Sequence, residues 1–220
     1  MVTTKMTKIG AAIASSFMFV SLAHAATPGA YAGIGLGASN INNASKSMFQ
    51  STTGTAGKAT TQSGGLGGKL FGGYNFNQNF GLEANVAEYA PTTNKMTLGS
   101  STASAKYKMT AISLVAKGYL PIQNDFDLYA LGGGAEVYSK VNYSNNSNGA
   151  ITTNSNLTTG NHTTRKLRPV IGVGADYNIN SHVVTGLEFS HIQGIGNTNT
   201  SASAIPSANM LTLTAAYKFD

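Results

Sequence analysis

Glu188, Ser190 and His191 bring an acid, a hydroxyl and an imidazole into one short stretch. A hydroxyl becomes a useful nucleophile only when a base reaches it within hydrogen-bond distance. In an extended segment neighbouring side chains point to opposite faces, so Ser190 and His191 do not share a site, and no catalytic residues are expected. The four histidines, His24, His162, His182 and His191, show no metal-ligand spacing, and the chain has no cysteine, so neither a metal nor a cofactor is expected. The other ionisable residues suggest two kinds of chemistry. Lys69, Glu83, Lys117, Asp176 and Glu188 stand within alternating apolar segments, where opposite charges could pair in an enclosed polar space. Lys106, Lys108, Lys140, Arg165, Lys166 and Arg168 fall beside long polar segments, where they could meet phosphates.

The elements that carry these residues alternate with a period of two. Ala32, Ile34, Leu36 and Ala38 interleave with Tyr31, Gly33, Gly35 and Gly37. The same alternation marks strands at Leu66 to Phe76, Phe80 to Ala87 and Ile112 to Leu120. A fifth strand opens at Phe126 and runs through Gly132 to Gly134, with its facing open beyond Leu131. Three more are expected from about Leu167 to Tyr177, His182 to Ile192 and Met210 to Phe219.

Connection lengths alternate as strictly as the residues. Asn75 to Gln78, Pro121 to Asn124 and Asn178 to Ser181 read as tight turns. Ser39 to Ser63, Ala90 to Ala105, Lys140 to Thr164 and Gln193 to Ser207 read as long loops rich in Asn, Ser, Thr and Gly. Eight antiparallel strands, with short turns at one end and long loops at the other, is the layout of a transmembrane β-barrel.

Composition agrees. Charged residues are 10% and hydrophobic residues 41% of the 220, which excludes a disordered tail and a coiled coil, and the absence of cysteine excludes a disulfide scaffold. Lys5 and Lys8 precede an apolar run from Ile9 to Leu22 that ends in Ala23-His24-Ala25, so residues 1–25 read as a secretory signal and 26–220 as one barrel domain. Loss of Lys5 and Lys8 leaves 12 basic residues against 8 acidic ones, a net charge of +4. Those charges are scattered, and no nucleic-acid partner is expected. An exported β chain in lipid must satisfy every backbone polar group, which only a closed barrel does. The alternative is a soluble ligand-binding barrel with its apolar face inward. It is disfavoured because the second strand faces carry Lys69, Glu83, Asn85, Lys117, Asp176 and Glu188, and because Leu211, Leu213, Ala215, Tyr217 and Phe219 keep one face of the last strand apolar.

Several segments resemble the transmembrane domain of the outer membrane protein A family, across residues 29 to 219. They are Phe71-Gly72-Gly73-Tyr74, Gly81-Leu82-Glu83, the run from Ala116 to Ile122 continuing into Asp125 to Tyr129, Gly186-Leu187-Glu188-Phe189 and the terminal Tyr217-Lys218-Phe219. The resemblance implies an up-and-down, eight-stranded barrel in the outer membrane of a Gram-negative bacterium, of the small opacity-type or porin-family kind without a cell-wall tether. It further implies that Glu83, Lys117 and Asp176 belong to an interior salt-bridged plug. The family's interior arginine position is Gly186 here. Leu211, Leu213, Tyr217 and Phe219 are similar to the terminal signal that such barrels present to their assembly machinery.

The function expected is therefore structural or interactive: outer-membrane integrity, with loops that contact host surface molecules. Outer-membrane lipid and lipopolysaccharide are expected partners, the six basic residues lying near the outer rim, and closure favours a monomer. The alternative is a small passive channel lined by Lys69, Glu83, Lys117, Asp176 and Glu188, and a remote one is a lipid-modifying enzyme.

Overall fold

The computed structural model describes residues 28–42, 49–52, 54, 57–123, 125–153, 159–196 and 204–219. The expected signal segment, 1–25, lies outside the described residues. Among the described residues eleven strands form: β1 (Gly29–Asn42), β2 (Phe49–Ser51), β3 (Lys58–Gln62), β4 (Gly65–Asn75), β5 (Phe80–Leu98), β6 (Ser101–Gln123), β7 (Phe126–Asn146), β8 (Ile151–Thr153), β9 (Gly160–Asn178), β10 (Val183–Ile192) and β11 (Ser207–Lys218). Eight of them close a ring, β1-β4-β5-β6-β7-β9-β10-β11, with β11 hydrogen-bonded back to β1 and every neighbour antiparallel.

Alternation decides which way each strand faces. Ile34, Leu36, Leu70, Leu114, Ile171, Val173 and Leu213 are exposed on the outside, whereas Glu83, Ser113, Val115, Lys117 and Glu188 are buried within. The apolar face therefore points outward, as lipid requires and a soluble ligand barrel does not. Tyr74, Phe76, Phe80, Tyr177, Tyr217 and Phe219 are exposed at the short-turn end, forming an aromatic girdle where headgroups meet hydrocarbon. Two of the short turns are fastened alike. The Asn77 side chain accepts from the amides of Asn79 and Phe80, at 2.8 and 2.9 Å, and that of Asn180 from the amides of His182 and Val183, at 2.9 and 2.8 Å.

The opposite end differs from expectation. Ala90 to Ala105 is a continuous hairpin of β5 and β6 that reverses at Gly99 and Ser100, with Gly99 at φ +58°. Strand β7 continues to Asn146, and β9 begins at Gly160. A bulge explains why alternation failed to reveal this. Tyr89 pairs with Met109, but Thr92 pairs with Tyr107, so Ala90 and Pro91 together oppose one residue. Beyond that bulge the even positions of β5 turn inward: Thr92, Asn94 and Met96 are buried. The glycine triplet of β7 does not interrupt its facing, since Leu131, Ala135 and Val137 are all buried.

Two of the expected loops also pair with each other. Strand β2 lies antiparallel to β8, Phe49 opposite Thr153 and Ser51 opposite Ile151. Phe49 and Ile151 pack with Met96, Ala103, Ala105, Tyr107, Val141 and Tyr143 as a second apolar core, separate from the one within the barrel.

Candidate functional site

The barrel interior is built from bare backbone on one side and charged side chains on the other. Strand β1 turns Gly33 and Gly35 inward. A Cβ at Gly33 would lie 2.5 Å from the Phe71 ring, and one at Gly35 would lie 3.1 Å from Lys69 Cγ. Gly33 thus makes room for the Phe71 ring, and Gly35 for Lys69 of β4, whose side chain lies across β1 and reaches β10. There its Nζ stands 2.6 Å from Glu188 Oε1 and 3.6 Å from Glu83 Oε1. Lys117 Nζ stands 3.1 Å from Glu83 Oε2. The result is a chain of alternating charges, Lys117, Glu83, Lys69 and Glu188, all with almost no exposure, whose formal charges cancel.

Tyrosines complete the carboxylate shells. The Tyr31 hydroxyl donates to Glu83 Oε2 at 3.1 Å, and the Tyr129 hydroxyl to Glu188 Oε2 at 2.9 Å. Lys117 Nζ also lies 4.0 Å from the centre of the Tyr129 ring, so the ammonium meets a π-face as well as a carboxylate. A buried charge without partners would cost several kcal/mol, and here each has at least two. On the loop side of this network the interior becomes apolar, with Ile41, Met109, Ile192, Ile205 and Met210 fully buried.

Of the five expected lumen residues, Lys69, Glu83, Lys117 and Glu188 thus join one network. Asp176 does not. Lys117 pairs with Glu83 and not with Asp176, which makes no ion pair among the described residues. The interior position that the resemblance assigns to an arginine is Gly186, and the second cation comes from Lys69 instead. Tyr31 and Tyr129 are members of the network that the alternation of residue types does not single out. Their inward parity was available, but their carboxylate partners sit on other strands.

At the outer end the six basic residues divide. Lys106, Lys108, Lys140 and Arg165 face outward and are exposed, with Lys108 directly opposite Lys140. Lys166 and Arg168 belong to the other face, opposite buried Val137 and Ala135, so the six do not form one outward cluster. The reason is strand parity: Arg165 and Lys166 are adjacent on β9. Arg168 donates to the carbonyls of Gln193 and Gly194, each at 2.8 Å, and so braces the β10 to β11 connection. Arg165 forms a two-pronged contact with Glu136, at 2.6 and 2.7 Å. Exposed Lys58 and Lys95, absent from the expected set, stand on β3 and β5 near the same end.

Ser190 and His191 lie on opposite faces of β10, and His191 Nδ1 is 2.6 Å from Asn209 Oδ1. Leu211, Leu213, Tyr217 and Phe219 are all exposed along the outward face of the closing strand.

Comparison with known proteins agrees with this geometry. The chain is 30% identical over 154 residues to outer membrane protein A of Escherichia coli O157:H7, covering 70% of this chain but 39% of that protein. It is 28% identical over 177 residues to an uncharacterized protein of Coxiella burnetii, covering 73% and 71% of the two chains. The crystal structure of Neisserial surface protein A superposes with a TM-score of 0.53 at 14% identity, covering 86% of this chain and 97% of that one, a likeness of fold. The OmpA-like transmembrane domain matches residues 25–220, so the chain belongs to that family, as an eight-stranded barrel of the Gram-negative outer membrane.

Proposed function

We propose that this barrel is a sealed structural scaffold that holds a folded surface on the outside of the cell for contact with other molecules. The observation that carries the reading is the filled interior. The ion network is capped on the loop side by Ile41, Met109, Ile192, Ile205 and Met210, and an apolar layer of that kind offers water and ions nothing to bind. A permanent pore would need a continuous polar path.

Conductance in planar bilayers tests this directly, after unboiled gel mobility has established that the chain is folded. Folded protein that stays electrically silent is the expected result. Discrete openings that change size in Lys117→Ala would overturn the reading in favour of a charge-gated channel.

Lipopolysaccharide is the proposed contact at the rim, and parity narrows the set to Lys106, Lys108 and Lys140. Like charges directly opposite across two strands repel, and Lys108 faces Lys140 in that way. Bridging phosphate would turn the repulsion into attraction. Arg165 contributes less because Glu136 already neutralises it. Replacing the three lysines by Gln should loosen lipopolysaccharide association while folding in neutral detergent is unchanged; association that persists undiminished would remove this contact from the proposal. The outward face of β11 would serve as the feature that the assembly machinery reads.

A further inference from the structure

The charge network leaves two carboxylates of the barrel interior unused among the described residues, and they stand together. Asp127 of β7 and Asp176 of β9 are directly opposite each other, both turned into the barrel at the short-turn end. Side chains paired in this way have Cβ atoms about 5 Å apart. Asp127 is 2% exposed. Its Oδ2 accepts from the Asn178 amide at 3.1 Å, but its Oδ1 is buried with no hydrogen-bond partner. Asn75 of β4 lines the same cavity, and its Oδ1 is also buried and unpartnered. The neighbours cannot supply what is missing. Lys117 is held by Glu83, and Lys218 donates to Asn178 Oδ1 at 2.7 Å. The position beside Asp176 on β10 is Gly186, where even a Cβ would collide with the Asp176 carboxylate.

From this arrangement we propose that the periplasmic mouth of the barrel binds a hard divalent cation of the calcium class, with Asp127, Asp176 and Asn75 as its oxygen donors. Calcium accepts carboxylate and amide oxygens in irregular geometry and completes its shell with water, which suits donors contributed by strands from different parts of the ring. Two carboxylates set against the ammonium of Lys218 leave a single net negative charge at the mouth, the other four interior charges having cancelled. Affinity is therefore weak, roughly 10⁻⁴ to 10⁻³ M, the range of sparsely charged extracellular sites.

Terbium provides the probe, because it replaces calcium at oxygen sites and emits when excited through nearby tyrosine. Tyr31, Tyr119 and Tyr129 line this cavity, and the chain has no tryptophan. The full chain, folded in zwitterionic detergent without lipopolysaccharide, should give saturable emission that calcium competes away. Asp127→Asn and Asp176→Asn should each weaken binding about tenfold or more, while Lys218→Gln should tighten it severalfold. Emission that is absent, or that both Asn variants leave unchanged while their gel mobility remains that of a folded barrel, overturns the proposal. Should either Asn variant fail to fold, Lys218→Gln decides, and an affinity unaltered by removing that positive charge overturns it equally.

Discussion

Strands β5, β6 and β7 pass through two environments and invert their design between them. Toward the periplasm they turn Leu82, Val86, Leu114 and Leu128 outward to lipid and keep Glu83, Ser113, Lys117 and Asp127 inside. Beyond Pro91 the same strands turn Lys95, Lys106, Lys108 and Lys140 outward and bury Met96, Ala103, Ala105, Tyr107, Val141 and Tyr143. The first half is a membrane barrel with a polar core, and the second is built like a water-soluble β-sandwich, its sheet covered by β2 and β8. Each half follows its solvent. Apolar surface is hidden from water where there is water, and polar groups are hidden from hydrocarbon where there is none. Burial likewise pushes the Tyr143 hydroxyl pKa up in the outer half. The bulge at Ala90 and Pro91 shifts the register of β5 at this changeover.

Breaking the comparison should cost most at the polar core. Glu83→Ala strands the buried Lys117 ammonium and leaves Lys69 with Glu188 alone, and is expected to remove about 3–5 kcal/mol of barrel stability, measured by urea unfolding in lipid bilayers. A loss under about 1 kcal/mol would mean that water enters the network and screens it. Next comes the lipid face. Leu213, which is 68% exposed and pairs with Leu36 and Leu187, should cost about 2–4 kcal/mol as Leu213→Arg in the same assay, whereas Lys106→Leu in the outer half should change stability by less than about 0.5 kcal/mol. Equal effects at the two positions would erase the difference between the halves. The smallest effect on the barrel is expected from Ile151→Ala. It should loosen the outer core by about 2 kcal/mol, seen as faster protease cleavage near β8, while the heat-dependent gel shift of the barrel stays the same. A barrel weakened in parallel would show that the two cores unfold as one.

How much of this the sequence discloses follows the same division. In the lipid half, alternation of large apolar residues with Gly, Ser and charges gives strand positions, facing and the tight turns, because hydrocarbon tolerates no exception to the pattern. In the outer half the buried set is small, Ala103 and Ala105 among Thr and Ser, and the bulge reverses parity midway, so a folded hairpin reads as a polar loop. The candidate site is legible to the same degree. Parity alone places Lys69, Glu83, Lys117, Asp176 and Glu188 inside. Their pairing depends on reach across the ring: Lys69 meets Glu188 over two intervening strands, passing the bare backbone of Gly35. The same reach leaves Asp176 beside Asp127, a juxtaposition no linear spacing announces.

The pairing of β2 with β8 joins Phe49 to Thr153 across more than a hundred residues of chain. Any surface feature they form together is therefore a discontinuous epitope. A linear peptide copied from either segment reproduces half of it, and antibodies selected on the intact cell surface should recognise the folded barrel while ignoring both peptides. Variation in one segment is likewise constrained by the other, so the two ought to drift as a matched pair.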